Sequence, residues 1–290
     1  MPSNPGDMNA PRHFPEHSPS KEAKIIQAGQ YSDYQEFDGK FALQYLWRYY
    51  HPRRGVLPDE YTVADHLIPF LRARKPGGVC LDPATGPTSH HQIFLAPYFD
   101  ALHVGDYLAD NREQTCKFAS RAEDAFPWEH YAQFYLEREQ AFTEECSIAA
   151  RLCETRRKIA DNIFATNLMQ RPVVNSGMLY DAVGCFYCLE EIASTAQGLF
   201  DVVANAASML RTGGEFMVSA IAYTDFYKIE NESGEELTIP CLSISEDLLA
   251  EALDAAGLDI PRGGLILKKA TENADQELSS IVAVYATKRR

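Results

Sequence analysis

The chain has 290 residues, 46% of them hydrophobic and 23% charged, which suits one large core or two small ones in an ordinary soluble globular protein. With 27 basic and 41 acidic residues its net charge is −14, so phosphate backbones and anionic membrane surfaces should repel it, and nucleic acid is not an expected partner. No apolar run approaches the ~18 residues of a membrane helix, no basic-then-apolar leader opens the chain, and seven cysteines without framework spacing fit a reducing cytoplasm.

In chain order, residues 1–21 carry Pro2, Pro5, Pro11, Pro15 and Pro19 among small polar residues and predict a disordered tail. Residues 22–290 read as one domain, with a helical, lid-like part over 22–75 and an α/β core over 76–290. Residues 22–30 are a short helical candidate. In the stretch 41–50, Phe41, Tyr45 and Tyr49 share one helical face with Leu46 and Tyr50 beside them, as a core-facing helix or a lid would. An amphipathic helix over 62–73 ends at Lys75-Pro76-Gly77-Gly78. The apolar run to Leu81-Asp82, the turn Pro83-Ala84-Thr85-Gly86-Pro87-Thr88, a helix over 89–99 and the run Ala101 to Asp106 form a βαβ unit. Helices follow to about 121, over 131–139 and over 142–161, and then a strand over 162–166. A strand over 178–185, a helix over 194–210, a strand over 215–221 and a helix from Ser245 to the stop at Gly257 come next. Residues 265–269 and 280–286 suggest a closing antiparallel pair. This alternation predicts a doubly wound, mostly parallel α/β sheet covered on both faces.

The turn after the first strand keeps only Gly86 where G-x-G-x-x-G needs three glycines, and no lysine follows as in a P-loop. A ligand without phosphates needs less of that anion cradle, and S-adenosylmethionine (SAM) is one. Asp106, about 20 residues after the turn, stands where such folds grip a ribose diol. No metal is expected. Cys185-x-x-Cys188 has no second pair and reads as buried thiols, while His90 and His91 would point about 100° apart on a helix and not share an ion.

Four stretches together resemble the family of small-molecule methyltransferases that includes the nicotinamide, phenylethanolamine and thioether (indolethylamine) enzymes. They are Tyr45-Leu46-Trp47-Arg48-Tyr49-Tyr50, Asp82 through Gly86-Pro87-Thr88, Asp106-Tyr107 with Asn111, and Cys188-Leu189-Glu190. The resemblance implies a Rossmann-like class I methyltransferase with an N-terminal helical lid, SAM as cofactor, S-adenosylhomocysteine as product and a small-molecule acceptor. It implies that Tyr45 and Tyr50 close over SAM. It sets Asp82, Thr85, Gly86, Thr88, His90 and Phe186 about the cofactor, Asp106, Tyr107 and Asn111 toward its ribose and carboxylate side, and Asn167 and Leu168 about its adenine. The chain departs from the family at Ala84, where glycine is common, at His90, where tyrosine is common, and at Asn167, where an acid is usual.

Glu190 matches an amine-contacting acid of the phenylethanolamine branch and is the expected catalytic carboxylate, with Glu191 as its control. Tyr187, Ser219, Tyr223, Asp225, Tyr227 and Asp275 are the expected acceptor-binding residues; an acid often found near Ser219 is absent. An aliphatic amine is mostly protonated at pH 7, so a carboxylate must hold the ammonium and receive its proton, whereas a thioether needs no base. N-methylation is the expected activity. The rivals are S-methylation of a thioether or thiol, and an inactive SAM-binding module.

Overall fold

The computed structural model describes residues 24–25, 41–143, 146–230, 236–269 and 280–290. The expected tail 1–21 and Asp275 lie outside the described residues. Of the helix expected over 22–30 only Lys24–Ile25 (β1) is described, and there the backbone is a strand: its parallel pairing with a later strand overrides local helix propensity.

In chain order there follow helices α1 (Phe41–Tyr49) and α2 (Pro58–Ala73), strand β2 (Val79–Asp82), helix α3 (His90–Leu95), strand β3 (Ala101–Asp106) and helices α4 (Ala109–Ser120), α5 (Glu129–Arg138) and α6 (Ile148–Ile159). Next are β4 (Ile163–Ala165), β5 (Tyr180–Phe186), α7 (Leu189–Ile192), α8 (Ala196–Ser208) and β6 (Leu210–Ala222). The chain closes with β7 (Phe226–Glu230), β8 (Glu236–Pro240), α9 (Glu246–Ala255), β9 (Leu258–Asp259), β10 (Leu265–Lys268) and β11 (Ser280–Lys288).

The eight-stranded sheet runs β10-β11-β6-β5-β2-β3-β4, with β9 on the end of β11. Strands β4, β3, β2, β5 and β6 are parallel, and β11 enters antiparallel between β6 and β10, the closing pair expected from the sequence. This is the Rossmann-like topology, with a closing antiparallel strand, that the resemblance implies. From β2 the chain steps outward to β3 and β4, then crosses back to lay β5 on the other side of β2. The carboxyl ends of β2 and β5 therefore flank the switch point, where such sheets bind ligands. A separate sheet of β1, β8 and β7, which the sequence reading lacks, stands apart from this frame.

Each face of the large sheet has its own core. One packs Leu67 and Leu71 of α2, Phe94 of α3 and Trp128, Tyr131 and Tyr135 around α5; the other packs Leu199 and Val203 of α8 and Leu249 and Leu253 of α9. Arg151 of α6 ties the first side together, reaching Glu139 at 2.5 Å and the Ile93 carbonyl of α3 at 3.2 Å, all buried. Among the described residues no helix is long and apolar enough to cross a membrane.

Helix α9 starts where Ser245 Oγ accepts from the Leu248 amide at 3.1 Å. Ser245→Ala should cost about 1 kcal/mol and lower Tm by about 2–4 °C, read by thermal unfolding. Unchanged Tm would mean that α9 is held by packing alone.

Candidate functional site

The turn after β2 is built by its own side chains. Thr85 Oγ1 donates to the Thr88 carbonyl at 3.1 Å, and Thr88 Oγ1 returns the bond to the Thr85 carbonyl at 2.8 Å. The Gln92 amide of α3 reaches Asp82 Oδ2 at 2.6 Å and Thr85 Oγ1 at 2.8 Å. Both threonine hydroxyls thus shape the loop that was expected to lie about the cofactor. Gly86 sits at φ +61°, and a Cβ there would meet nothing within 4 Å, so a ligand has room against this backbone. Asp82 keeps one buried carboxylate oxygen, Oδ1, without a partner, and burial pushes its carboxyl up to about 6 against the pull of His91.

Asp106 ends β3 opposite this turn. Its Oδ2 accepts from the Gly86 amide at 2.9 Å, and its Oδ1 from the Leu108 amide at 2.8 Å and Asn111 Nδ2 at 3.1 Å. A carboxylate offers about four acceptor sites, so three protein donors leave one for a ligand rather than the two a ribose diol would fill. Burial raises its pKa and the three donors oppose the rise. Asn111 lies in the first turn of α4 and is committed to Asp106, while Tyr107 is exposed.

Beyond β4, Leu168 is buried and Asn167 Oδ1 accepts from the Met169 amide at 2.9 Å. That oxygen, expected to meet an exocyclic amine, first caps its own turn.

Helix α1 packs against α4, and the aromatic residues at its end gather beside α3 and α5. Tyr50 is buried, 5.0 Å from the His90 ring, 5.6 Å from Trp128 and 5.8 Å from Tyr131; Tyr45 packs 5.9 Å from Tyr50. The side chain of Phe41 lies outside the described residues. His90 therefore belongs to this aromatic wall, and Phe186 stacks on His91 at 4.3 Å.

At the end of β5, Tyr187 adopts φ +50°, a left-handed conformation uncommon without glycine and concentrated at functional sites; its amide is held by the Ser219 carbonyl at 2.8 Å. Its hydroxyl faces the Asp59 carboxylate without a well-formed hydrogen bond, and burial and then Asp59 raise its pKa well above the usual value. Glu190, in α7, is 2% exposed. Oε1 accepts from the Ile221 amide at 2.8 Å, Oε2 has no partner, and burial pushes the carboxyl up to about 7. Ser219, beside Phe186 in the β5–β6 register, is fully buried with its Oγ unpartnered. Phe186, Tyr187, Glu190 and Ser219 are thus brought together at the ends of β5 and β6.

Other expected acceptor residues are not. Tyr223 is 52% exposed and donates to Glu246 of α9, so it faces solvent. Asp225 is exposed on the rim, its carbonyl taking the Cys241 amide at 2.9 Å. The side chain of Tyr227 lies outside the described residues. The physical reason is the end of β6: Tyr223 has left-handed backbone, φ +60°, and the chain leaves the sheet there toward β7.

The sequence reading missed Asp59 and Glu60. Helix α2 begins four residues earlier than expected, and its first turn carries both acids into the site. Glu60 is buried; Oε1 lies 3.1 Å from His90 Nε2 and 3.4 Å from His91 Nε2, and Oε2 accepts from Tyr135 at 3.0 Å. Burial works against its charge, but the two imidazoles outweigh it and hold the carboxyl well below the usual range. Burial and then His91 push His90 down to about 4, whereas burial and then Glu60 push Asp59 up to about 6. The divergence of about 100° expected for His90 and His91 is not realised: in the first turn of α3 both rings bend to one oxygen, with centroids 3.9 Å apart.

The crevice offers an uncharged, small-residue turn, a carboxylate at the end of β3, an aromatic cover and, across the switch point, a buried acid whose carboxyl is pushed up to about 7. The open Gly86 backbone and the unpartnered Asp82 oxygen fit a nucleoside ligand with a polar tail.

The profile of the NNMT/PNMT/TEMT family matches residues 27–289. Phenylethanolamine N-methyltransferase of Sus scrofa is 22% identical over 267 residues, 89% of this chain and 88% of that protein. Indolethylamine N-methyltransferase of Oryctolagus cuniculus is 22% identical over 220 residues, 74% of this chain and 81% of that protein. A solved S-adenosylmethionine-dependent methyltransferase from Clostridium acetobutylicum ATCC 824 is 12% identical, with 87% of this chain and 98% of that chain covered and a TM-score of 0.48.

Proposed function

The chain belongs to the NNMT/PNMT/TEMT family and is a SAM-dependent methyltransferase, and from that premise we propose that it methylates the amine nitrogen of a small molecule, with Glu190 receiving the proton that the nitrogen loses. The observation that carries this reading is Glu190 itself: a buried carboxyl with one oxygen fixed on the Ile221 amide, the other unpartnered, and a pKa pushed up to about 7. A general base works best with a pKa near the working pH.

Bound SAM supplies an electrophilic methyl group on a sulfonium. On the cofactor side, Asp106 and Asn111 would hold the ribose, Gly86 would give its backbone room, Asp82 would offer Oδ1 to the polar tail, and Leu168 with Asn167 would border the adenine. Tyr45 of α1 and Tyr50, directly after it, would cover the crevice. On the acceptor side, Phe186 and Tyr187 form a wall, Asp59 and Glu190 place negative charge where an ammonium would lie, and Ser219 offers a buried hydroxyl. An ammonium bound between these walls would give a proton to Glu190 Oε2, and the nitrogen would then hold the free lone pair that methyl transfer requires. Since charge is redistributed rather than created, alignment by these walls carries most of the rate enhancement.

The direct experiment is a transfer assay with methyl-labelled SAM against aliphatic amines, pyridines, thioethers and thiols. Turnover on amines supports the reading. Turnover confined to sulfur acceptors overturns it, and binding of SAM without transfer to any acceptor favours an inactive module. A smaller effect tests the turn. Gly86→Ala should cost the ligand-free fold about 1–2 kcal/mol through backbone strain alone, and SAM affinity by calorimetry should fall at least several-fold. Unchanged affinity would move the cofactor away from Gly86.

A further inference from the structure

One cluster is left unused by the methyl-transfer scheme. Glu60, His90 and His91 are all buried, and one ring nitrogen of each histidine and one Glu60 oxygen lie within 4.8 Å of one another. His90 Nε2 and His91 Nε2 stand 3.1 Å and 3.4 Å from the same atom, Glu60 Oε1. Ligands held tetrahedrally at about 2.0–2.2 Å from an ion lie about 3.3–3.6 Å apart, and these two separations come close to that spacing, so a small shift would seat one metal between them.

We propose that Glu60, His90 and His91 form a binding site for a divalent transition metal of the zinc class, set against the Phe186–Tyr187 wall.

Three further observations support it. The first is charge. Among the described residues no lysine or arginine forms an ion pair with Glu60, although Asp59 adjoins it in α2. Buried charges are normally paired or bound to metal, and a dication would neutralise this acidic pair. The second is orientation. The Tyr135 hydroxyl holds Glu60 Oε2 at 3.0 Å, the outer-shell contact that aims a ligating carboxylate. The third is rigidity. His90 is stacked 5.7 Å from Trp128 and lies 5.0 Å from Tyr131, and His91 is stacked 4.3 Å from Phe186. Two imidazoles with one carboxylate make a three-ligand set of the kind that keeps a coordination position open, and imidazole suits zinc, copper, iron and nickel.

The buried thiols Cys185 and Cys188 are the rival ligands in this chain. The test therefore uses the full chain, stripped with a chelator and titrated with Zn²⁺ by calorimetry and with Co²⁺ by absorption, with neither SAM nor acceptor present. We expect one ion per chain, a Co²⁺ spectrum without a thiolate charge-transfer band, and at least about 10-fold weaker binding in His91→Asn and Glu60→Gln. Changing the exposed Cys116 and Cys153 to serine should leave affinity unchanged. No stoichiometric uptake by the wild type, a thiolate band, or wild-type affinity in a folded His91→Asn would each overturn the site. His91→Asn decides the matter if Glu60→Gln does not fold, since it leaves the Glu60–Tyr135 contact in place. These readouts concern the metal alone and are independent of which acceptor is methylated.

Discussion

Glu190→Gln should lower turnover on an aliphatic amine by about 10²-fold at pH 7, the scale of losing one general base. Glutamine keeps the shape and its oxygen can still accept from the Ile221 amide, so the loss is of negative charge and proton affinity. With the wild-type carboxyl near 7, its ionised fraction grows through neutrality, and kcat/KM on an amine should rise with pH through that range. In the variant that limb disappears, and the remaining rise tracks deprotonation of the amine in solution, so the deficit shrinks at high pH. On a thioether or a pyridine-type nitrogen the same change should alter KM at most.

Stability supplies the control. A carboxyl raised from 4.5 to about 7 by burial makes the folded state hold its proton longer than the unfolded state does. Its contribution to stability is therefore most favourable below the unfolded value and declines as pH rises toward 7. Removing it should leave Tm at pH 8 no lower than in the wild type. Full activity of Glu190→Gln on an aliphatic amine at pH 7 would return Glu190 to the role of an acid at a helix start.

The second large effect is expected at Asp106. Gly86, Leu108 and Asn111 already occupy three of its acceptor sites, which leaves one charge-assisted hydrogen bond for a ribose hydroxyl, worth about 1.5–3 kcal/mol. Asp106→Ala should weaken SAM binding about 10- to 150-fold by calorimetry. The same change strands the Gly86 and Leu108 amides, so a loss of about 1–3 kcal/mol in the ligand-free fold should accompany it. Asp106→Asn retains an oxygen for one of those amides and separates the two effects. Lost stability with wild-type SAM affinity would make Asp106 a loop brace and nothing more.

The sheet was legible because its strands are buried on both faces and read as continuous apolar runs separated by helical periodicity. Leu81-Asp82 and Val104-Gly105-Asp106 end where expected, and so do the two strands of the closing pair to within a few residues. The hairpin β7–β8 escaped that reading because its strands mix charged and apolar residues. The Gly234-containing stretch between them is a hairpin signal that strand–helix alternation passes over.

The cofactor side was legible as a local pattern, the turn and the acid about 20 residues later. The acceptor side was legible only in part. Pro58-Asp59-Glu60 is a helix-start signature of N1 proline and first-turn acids, normally a solvated feature. What buries Glu60 is packing by His90 and Tyr135, far away in the chain, and no local period encodes that. Tyr223 and Asp225 failed for the converse reason: adjacency to β6 in sequence did not survive the left-handed turn that carries the chain out of the sheet.

The position of β11 bears on how this protein is made. Its strand, Ser280–Lys288, is made after every strand it joins, yet it lies inside the sheet, between β6 and β10. Until it arrives, β6 offers one bare edge containing Phe216, Met217 and Val218, all buried once β11 is zipped alongside. A nascent chain, or one cut between β6 and β11, thus displays a long apolar strand with unpaired amides, a template for self-association. Correct synthesis is a race between arrival of β11 and edge-to-edge aggregation, and such non-local pairing is slow to form.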